Sequence, residues 1–312
     1  MKSVLVTGTI GVLAAATAFL GWKAYGPGPS DTTSAPAVET APRTDNNQPL
    51  NEAKAPVPHL IRELTSPGKH LSEQIEAVRN LPDDLDEAEF EALIAILHQP
   101  SPPKTDLGRW YTLQNEIMEV LREPRYRWDG YPGAMSDLVT DRHADPVMRD
   151  YAAQHLALYL GDRADRLESE TTSAALDAFV DVISGSREAH EQVAGTTLMA
   201  LCDLNSRRPE ILEDHRAALE SAIEGLMSPD AGASLSNQIA AIQSAGRLDF
   251  PSLRPNIRSL AGSEAANASL RLSSIAALGY FADPSDRAFL TDLAEGESRL
   301  RYAARTALKN FK

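Results

Sequence analysis

The sequence predicts an all-α fold, a curved α-solenoid built from antiparallel helix pairs. From residue 59 to residue 312, segments with apolar residues at helical spacing alternate with short breakers. Two segments near the carboxyl end have the same form: an arginine, then small and apolar residues, then a leucine seven positions later. They are 271–278 (RLSSIAAL) and 301–308 (RYAARTAL). Aromatic residues make up only 6% of the chain, and no segment has the alternating pattern of a strand.

Residues 1–23 form a separate N-terminal segment. Lys2 precedes an uncharged run over residues 3–22, and Lys23 follows it. Twenty helical residues span roughly 30 Å, enough to cross the hydrocarbon core of a bilayer. The triplet Ala16-Thr17-Ala18 also fits a signal-peptide cleavage site. The segment therefore predicts a bacterial cell-envelope protein. It is either anchored once in the inner membrane with its bulk in the periplasm, or periplasmic or secreted after cleavage.

Residues 24–58 have the composition of a disordered linker. They contain seven prolines, several Ser, Thr and Asn residues, and almost nothing large and apolar. A flexible coil of this length has a root-mean-square reach of about 30–35 Å. The helical repeat domain is predicted to occupy the remainder, residues 59–312.

Within 59–312, capping and breaking residues divide the chain into helices. Leu81-Pro82-Asp83-Asp84 ends the first helix and Glu123-Pro124 ends the third. Asp145 is a predicted N-cap with Pro146 at the first helical position, and Gly161-Asp162 ends that helix. Its partner is predicted over 167–183. The later predicted pairs are 187–204 with 209–227, 231–246 with 251–261, and 264–281 with 284–295, and a final helix over 297–311 closes the array.

The first helix of each pair has a recurring opening position. The residues predicted at this position are Arg149, Glu191, Asn237, Arg271 and Arg301, and they are 42, 46, 34 and 30 residues apart. At Asn237 the arginine is missing, and Ser244 replaces the closing leucine, so this helix is expected to pack loosely.

These repeats resemble HEAT repeats and their shorter HEAT-like, phycobilin-lyase-type relatives, which share an armadillo-like α-solenoid. The residues that carry the resemblance are 149–156 (RDYAAQHL), 271–278 and 301–308, with Asp145-Pro146 ahead of the first. The resemblance implies a curved array used for protein–protein contact. It implies no shared catalytic residues, so none is assigned.

Composition and motifs argue against several classes of function. A formal net charge of −14 is unsuited to nucleic-acid binding, which needs a basic face. Cys202 is the only cysteine and lies in an apolar helical run, so it is predicted to be a buried small hydrophobe. The seven histidines are scattered, and no nucleophile elbow or glycine-rich phosphate loop occurs. The acidic run 83–91 is predicted to supply first-turn carboxylates to a helix. No metal or cofactor is predicted.

Aromatic clustering marks one candidate binding site. Five of the 18 aromatic residues lie between 110 and 131, around two arginines in the segment EPRYRWDGYPG. A loop bounded by Pro and Gly and rich in Trp, Tyr and Arg has the composition of a binding hot spot. The alternative is an irregular insertion whose aromatics pack against the side of the array. The candidate partner-binding residues are Trp110, Tyr111, Arg125, Tyr126, Arg127, Trp128 and Tyr131.

Charge distribution marks a second candidate surface. In HEAT-like arrays the second helix of each pair usually lines the concave face. Segments 86–98, 165–184, 209–227 and 284–295 are the predicted second helices, and together they hold 17 Asp or Glu and three Arg. They predict an acidic groove for a basic segment of a partner. Segment 251–261 has two Arg and no acid, and does not fit a uniform stripe.

Together these features predict a non-catalytic, protein-binding scaffold tethered at the cell envelope. A purely structural array within a larger envelope assembly is a close variant of this prediction. The alternative is a HEAT-like lyase-type enzyme, or a modifier of a partner protein, with a site near 110–143. The sequence leaves the oligomeric state open.

Overall fold

A computed structural model describes residue 64 and residues 68–99, 107–126, 128–185, 191–228, 232–296 and 299–311. The predicted anchor at 1–23 and the predicted linker at 24–58 lie outside these residues and stay predictions. In the described part of the chain, no helix combines the length and the hydrophobicity needed to span a bilayer.

The described residues form helices and contain no strand, which confirms the predicted all-α class. In chain order the α-helices are α1 (Leu71–Arg79), α2 (Glu87–Leu97), α3 (Leu107–Leu121), α4 (Tyr131–Thr140), α5 (Pro146–Arg163), α6 (Ser169–Ser184), α7 (Glu191–Arg207), α8 (Arg216–Met227), α9 (Leu235–Arg247), α10 (Arg254–Gly262), α11 (Ala268–Phe281), α12 (Arg287–Glu295) and α13 (Arg301–Leu308). Short 3₁₀ turns occupy Ala164–Arg166, Pro209–His215, Pro251–Leu253 and Pro284–Asp286.

The helices form two layers. The odd-numbered helices pack side by side in sequence, from α1 through α3, α5, α7, α9 and α11 to α13. In the second layer α4, α6 and α8 also pack side by side, and α4, α6, α8, α10 and α12 each pack on the odd helix that follows. One buried apolar core runs between the layers. The prediction of an armadillo- or HEAT-like array of helix pairs is therefore confirmed, while its curvature stays a prediction.

An arginine in several odd helices joins each helix to the end of the helix before it. The Nε of Arg149 donates to the Val139 carbonyl oxygen at 2.9 Å, and Arg149 is only 1% exposed. Arg271 makes the same bond to Ala261 at 3.2 Å, and Arg305 makes it to Ala294 at 3.1 Å. Each acceptor lies in the last turn of an even helix, where carbonyl oxygens lack partners within the helix. Arg149, Arg271 and Arg305 thus each cap the even helix before them.

This contact corrects one predicted repeat position. Arg301 does not cap a preceding helix, because its guanidinium stacks on the neighbouring Tyr302 ring and bonds to the Tyr302 hydroxyl at 2.9 Å. Arg305 holds the capping place instead. Asn237, Arg271 and Arg305 are then separated by two equal intervals of 34 residues, so the last repeats are more regular than the sequence indicated.

The expectation that the helix of Asn237 and Ser244 packs loosely is wrong. Both residues are buried in α9, at 4% and 0% exposure. A Cβ added at Gly246 would lie 2.8 Å from the Ala277 carbonyl oxygen and 3.0 Å from the Ala277 Cα. Gly246, two residues after Ser244, thus allows close contact between the backbones of α9 and α11.

Three predicted boundaries also change. Residues 124–133 are not an irregular loop throughout, since α4 begins at Tyr131 with Pro132 in its first turn, where a missing N–H costs nothing. Helix α5 continues through Gly161 to Arg163, and the Arg207 side chain lies against Gly161. The last helix is shorter than 297–311 and covers only Arg301–Leu308.

Candidate binding surfaces

The aromatic candidates between 126 and 131 hold their segment against the array. The Trp128 ring stacks on Phe90 of α2 at a centroid distance of 5.3 Å. Tyr126 meets the same Phe90 edge-on at 5.7 Å. Tyr131 stacks on Tyr159 of α5 at 4.8 Å. These contacts join the segment to two helices that are distant in the sequence.

Two of the candidate residues have almost no exposed surface. Tyr126 and Tyr131 are 2% and 1% exposed. Their hydroxyls donate to backbone carbonyl oxygens, Tyr126 to Leu81 and Tyr131 to Met118, both at 3.1 Å. Burial raises the pKa of both phenols. A partner could therefore contact little of either side chain.

The other candidates reach solvent only in part. Arg125 donates to the carbonyl oxygens of Arg79 and Leu81 at 3.0 and 3.2 Å and so caps α1. Tyr111 donates to an Asp145 carboxylate oxygen at 2.7 Å, which links α3 to the start of α5. Trp110 is half-buried against the core, and Arg127 lies outside the described residues. The structure thus brings Tyr126, Trp128 and Arg125 together at the α1–α2 end but leaves Trp110 and Tyr111 on α3. Partner binding at this site stays a prediction.

A shallow cleft of about 280 Å³ lies beside this segment, between the ends of α3 and α5. Most of its charged groups bond to one another or to the backbone. Arg163 donates to the carbonyl oxygens of Tyr126 and Arg122 at 2.8 and 2.9 Å. Arg122 and Arg207 each meet Asp162 at 3.1 Å. The cleft therefore holds mostly paired charges, which fasten neighbouring helices.

His155 is a buried histidine close to this segment. It is 5% exposed on α5, and its Nε2 lies 3.1 Å from the Asn115 Oδ1, so the contact assigns the proton to Nε2. Its Nδ1 is buried and has no hydrogen-bond partner among the described residues. Burial, with a smaller contribution from the nearby Arg122 charge, lowers the pKa of His155 to about 3. The imidazole is neutral at physiological pH, and a second proton would have no acceptor.

This burial predicts that acid destabilises the fold through His155. The imidazole has a pKa near 6.5 when the chain is unfolded and about 3 when it is folded. Between these values the unfolded state binds the extra proton, so the free energy of unfolding falls as the pH falls. The slope is about 1.4 kcal/mol per pH unit, so we expect a loss of about 2 kcal/mol between pH 7 and pH 5. Urea unfolding at both pH values measures it. His155→Gln should remove this part of the pH dependence, and an unchanged pH dependence in that variant would contradict the assignment.

Other sequence features have structural roles. The acidic run begins α2 as predicted: Asp86 accepts from the Glu89 backbone N–H at 2.9 Å, and Glu89 accepts in return from the Asp86 N–H at 3.0 Å. Asp145 caps α5 as predicted, by accepting from the Val147 N–H at 2.9 Å.

Cys202 is 2% exposed, and burial raises the pKa of its thiol. Across the described ranges, His, Cys, Asp and Glu side chains form no group of three able to hold a metal ion.

The acidic surface is clearest on two neighbouring even helices. Helix α6 carries Glu170, Asp177 and Asp181 and has no Lys or Arg, and α8 carries Glu220 and Glu224 with one cation, Arg216. We name these five carboxylates the α6–α8 surface. The two helices are in direct contact.

The one arginine of α8 does not neutralise this surface. Arg216 donates to the Leu248 and Asp249 carbonyl oxygens at 2.8 and 3.0 Å, so its charge caps the end of α9. Asp177 has a nearby partner in His215, whose Nε2 lies 3.1 Å from its carboxylate. The α6–α8 surface therefore keeps an excess of negative charge.

Some predicted groove residues have cationic partners within the chain. Asp286 is fully buried between two arginines, so a partner cannot contact it. Asp165 and Glu210 are exposed and share Arg208. The acidic groove as a whole stays a prediction.

Comparisons with known proteins provide little beyond the arrangement of helices. No protein-family model matches the chain, and no curated protein matches it. Among solved structures, the chain is similar to the designed armadillo repeat protein YIII(Dq)4CqI, with 16% sequence identity and a TM-score of 0.37. The alignment covers 82% of this chain and 100% of that protein. This similarity is too low to support a conclusion about function, and the relationship to phycobilin-lyase-type repeats stays a prediction.

Proposed function

We propose that this chain is a non-catalytic scaffold that binds a protein partner through its helical-repeat array. The two-layer arrangement supports the proposal, because side-by-side helices present broad surfaces instead of an enclosed pocket. An enzymatic site near 110–143 has less support, since most charged groups of the nearby cleft bond to one another or to the backbone. The partly exposed faces of Trp110, Tyr111, Arg125 and Trp128 are proposed as a secondary contact.

The observation that carries the proposal is the charge of the α6–α8 surface. Exposed carboxylates of like sign on neighbouring helices attract a cationic segment and speed its association. We infer that the partner presents a basic segment to this surface. We also propose that residues 1–23 tether the array at the cell envelope and that residues 24–58 act as its spacer.

The test is salt-dependent binding of a Lys-rich peptide to the full chain, followed by fluorescence anisotropy. We expect the affinity to fall as KCl rises from about 50 to about 200 mM, because salt screens contacts between exposed charges. The double variant Glu170→Lys with Glu224→Lys should weaken binding by about tenfold, which is about 1.4 kcal/mol.

The control is the double variant Glu76→Lys with Glu264→Lys, which changes the net charge equally but lies on α1 and in the loop before α11. It should retain most of the parent affinity. Equal losses in the two double variants would show that net charge alone drives binding and would overturn the α6–α8 assignment.

A further inference from the structure

The large apolar side chains exposed in the described residues all lie on one layer of the array. They belong to odd helices between α7 and α13, and none belongs to an even helix. Their exposed fractions are 36% for Met199, 39% for Leu235, 39% for Leu272, 53% for Tyr280 and 65% for Tyr302.

Packing places most of these side chains on the outer side of the odd layer. Each of α7, α9 and α11 has odd helices on both sides and even helices on a third side, so its exposed residues lie on the remaining side. On α11, Leu272, Ala276 and Tyr280 are spaced four residues apart and form a single stripe. The Arg247 Nη1 lies 3.7 Å from the Met199 Sδ, which makes this surface continuous between α9 and α7.

The part of this surface formed by α9, α11 and α13 lacks negative charge. Helices α9, α11 and α13 contain no Asp or Glu in a chain whose formal net charge is −14. They contain four arginines, of which Arg271 and Arg305 turn towards the even layer to cap α10 and α12, while Arg247 and Arg301 make no such cap. None of the four has a carboxylate within ion-pair distance in the described part of the chain. Seven arginines elsewhere do have one: Arg79, Arg122, Arg125, Arg207, Arg208, Arg254 and Arg258.

We propose that this acid-free face, the outer side of α9, α11 and α13 together with Met199, is a second docking surface, and that it binds an acidic amphipathic helix of a partner protein. The apolar side of such a helix would cover Leu272, Tyr280 and Met199. Its carboxylates would reach the guanidiniums of Arg247 and Arg301, which have no acidic partner among the described residues. The inference shares with the proposed function only the premise of a protein-binding scaffold, because it uses the opposite layer and the opposite charge.

Charge and apolar surface together favour this occupant over two others. An anionic bilayer is a continuous sheet of negative charge, which repels a chain of net charge −14, whereas a short helix brings its carboxylates only to the arginines. A second copy of the chain could offer its α6–α8 surface, but the even helices expose no large apolar side chain to match Tyr280 and Leu272.

The test uses the full chain and two designed peptides of about 18 residues, each about 27 Å long as a helix. That length spans three helices spaced about 8–10 Å apart. One peptide has a leucine stripe flanked by glutamates, and the other has lysines in place of the glutamates. We expect the Leu/Glu peptide to bind at least tenfold more tightly than the Leu/Lys peptide.

Variants locate the binding site. Arg247→Glu combined with Tyr280→Ala should weaken Leu/Glu binding at least tenfold, while Arg142→Glu, in the exposed loop before α5, should leave the affinity unchanged. Circular dichroism establishes that each variant is folded. Should the first double variant not fold, Leu272→Gln with Tyr302→Ala tests the same face.

Three results would overturn the proposal. One is equal binding of the two peptides. A second is binding of the parent to phosphatidylserine vesicles that is lost in the acid-free-face variants, since lipid would then be the occupant. The third is concentration-dependent self-association that the same variants abolish, since a second copy would then occupy the face. The Glu170→Lys and Glu224→Lys double variant should retain binding of the Leu/Glu peptide. Loss of Lys-rich peptide binding at the α6–α8 surface can therefore be distinguished from loss of Leu/Glu binding at the acid-free face.

Discussion

Replacing Gly246 with alanine is expected to lower the free energy of unfolding by about 1–3 kcal/mol. The new methyl group would lie 2.8 Å from the Ala277 carbonyl oxygen and 3.0 Å from the Ala277 Cα. Both are backbone atoms of α11 and cannot move aside like the end of a flexible side chain, so α9 and α11 must separate. The gain in helix propensity, about 1 kcal/mol, offsets only part of this cost. Urea unfolding followed by circular dichroism measures the change.

The control is Gly225→Ala in α8, where an added Cβ would meet nothing within 4 Å. There the propensity gain acts alone, so alanine should stabilise the fold by about 0.5–1 kcal/mol. The two substitutions have the same chemistry and should have opposite signs. Stabilisation by Gly246→Ala would mean that α9 and α11 are farther apart than the structure indicates.

Replacing Asp286 with asparagine is expected to destabilise the fold by about 2–4 kcal/mol. The Asp286 side chain is fully buried between α10 and α12, and it accepts from the Arg254 Nε at 2.7 Å and from the Arg258 Nη1. Removing its charge leaves two neighbouring guanidiniums without a common counter-charge. The expected loss is below that of a fully buried pair, because Arg254 and Arg258 are 20% and 40% exposed. Thermal and urea unfolding measure it.

Asp83→Asn is the matched control, since Asp83 pairs with Arg125 at 3.1 Å but is 76% exposed. Exposed ion pairs contribute little to stability because water and salt screen them, so this variant should resemble the parent. If the two variants are destabilised equally, burial of Asp286 is not what makes its ion pairs important.

Local signals made much of the architecture predictable. The dipeptide Asp145-Pro146 is enough to predict the start of a helix. The Asp145 carboxylate accepts a hydrogen bond from a nearby backbone N–H, and Pro146 has no backbone N–H that would need a partner in the first turn. The Arg-led segments 271–278 and 301–308 identify odd helices because apolar spacing shows which side of a helix is buried. Such features depend on residues close together in the chain.

Features that depend on a neighbouring helix were harder to predict. The sequence places arginines at 301 and 305 with equal plausibility, and only the position of the Ala294 carbonyl oxygen selects Arg305. Likewise Ser244 breaks the repeat pattern, yet it is buried in α9, and Gly246 in the same helix permits close contact with the backbone of α11. A cap or a close approach is a property of two helices, and periodicity within one helix does not show it.

For the binding surfaces too, the sequence showed local composition but not the contacts between helices. The composition of the aromatic segment indicated exposed anchors, but Tyr126 and Tyr131 are buried because their rings reach α2 and α5. The acid-free face was visible as three segments without Asp or Glu, but its apolar residues form a surface only when α9, α11 and α13 lie side by side.

The arginine caps also have a consequence for how the protein is made. Arg149 and Arg271 each reach back 10 residues to the helix just completed, and Arg305 reaches back 11. Arg125 and Arg163 reach back about 40 residues to the odd helix of the preceding pair. Every one of these bonds points towards residues that leave the ribosome earlier. Arg216 is different, since it bonds to Leu248 and Asp249, which are synthesised later. Helices α4, α10 and α12 can therefore be capped as soon as the next odd helix is made, so much of the array can form during translation from its amino end.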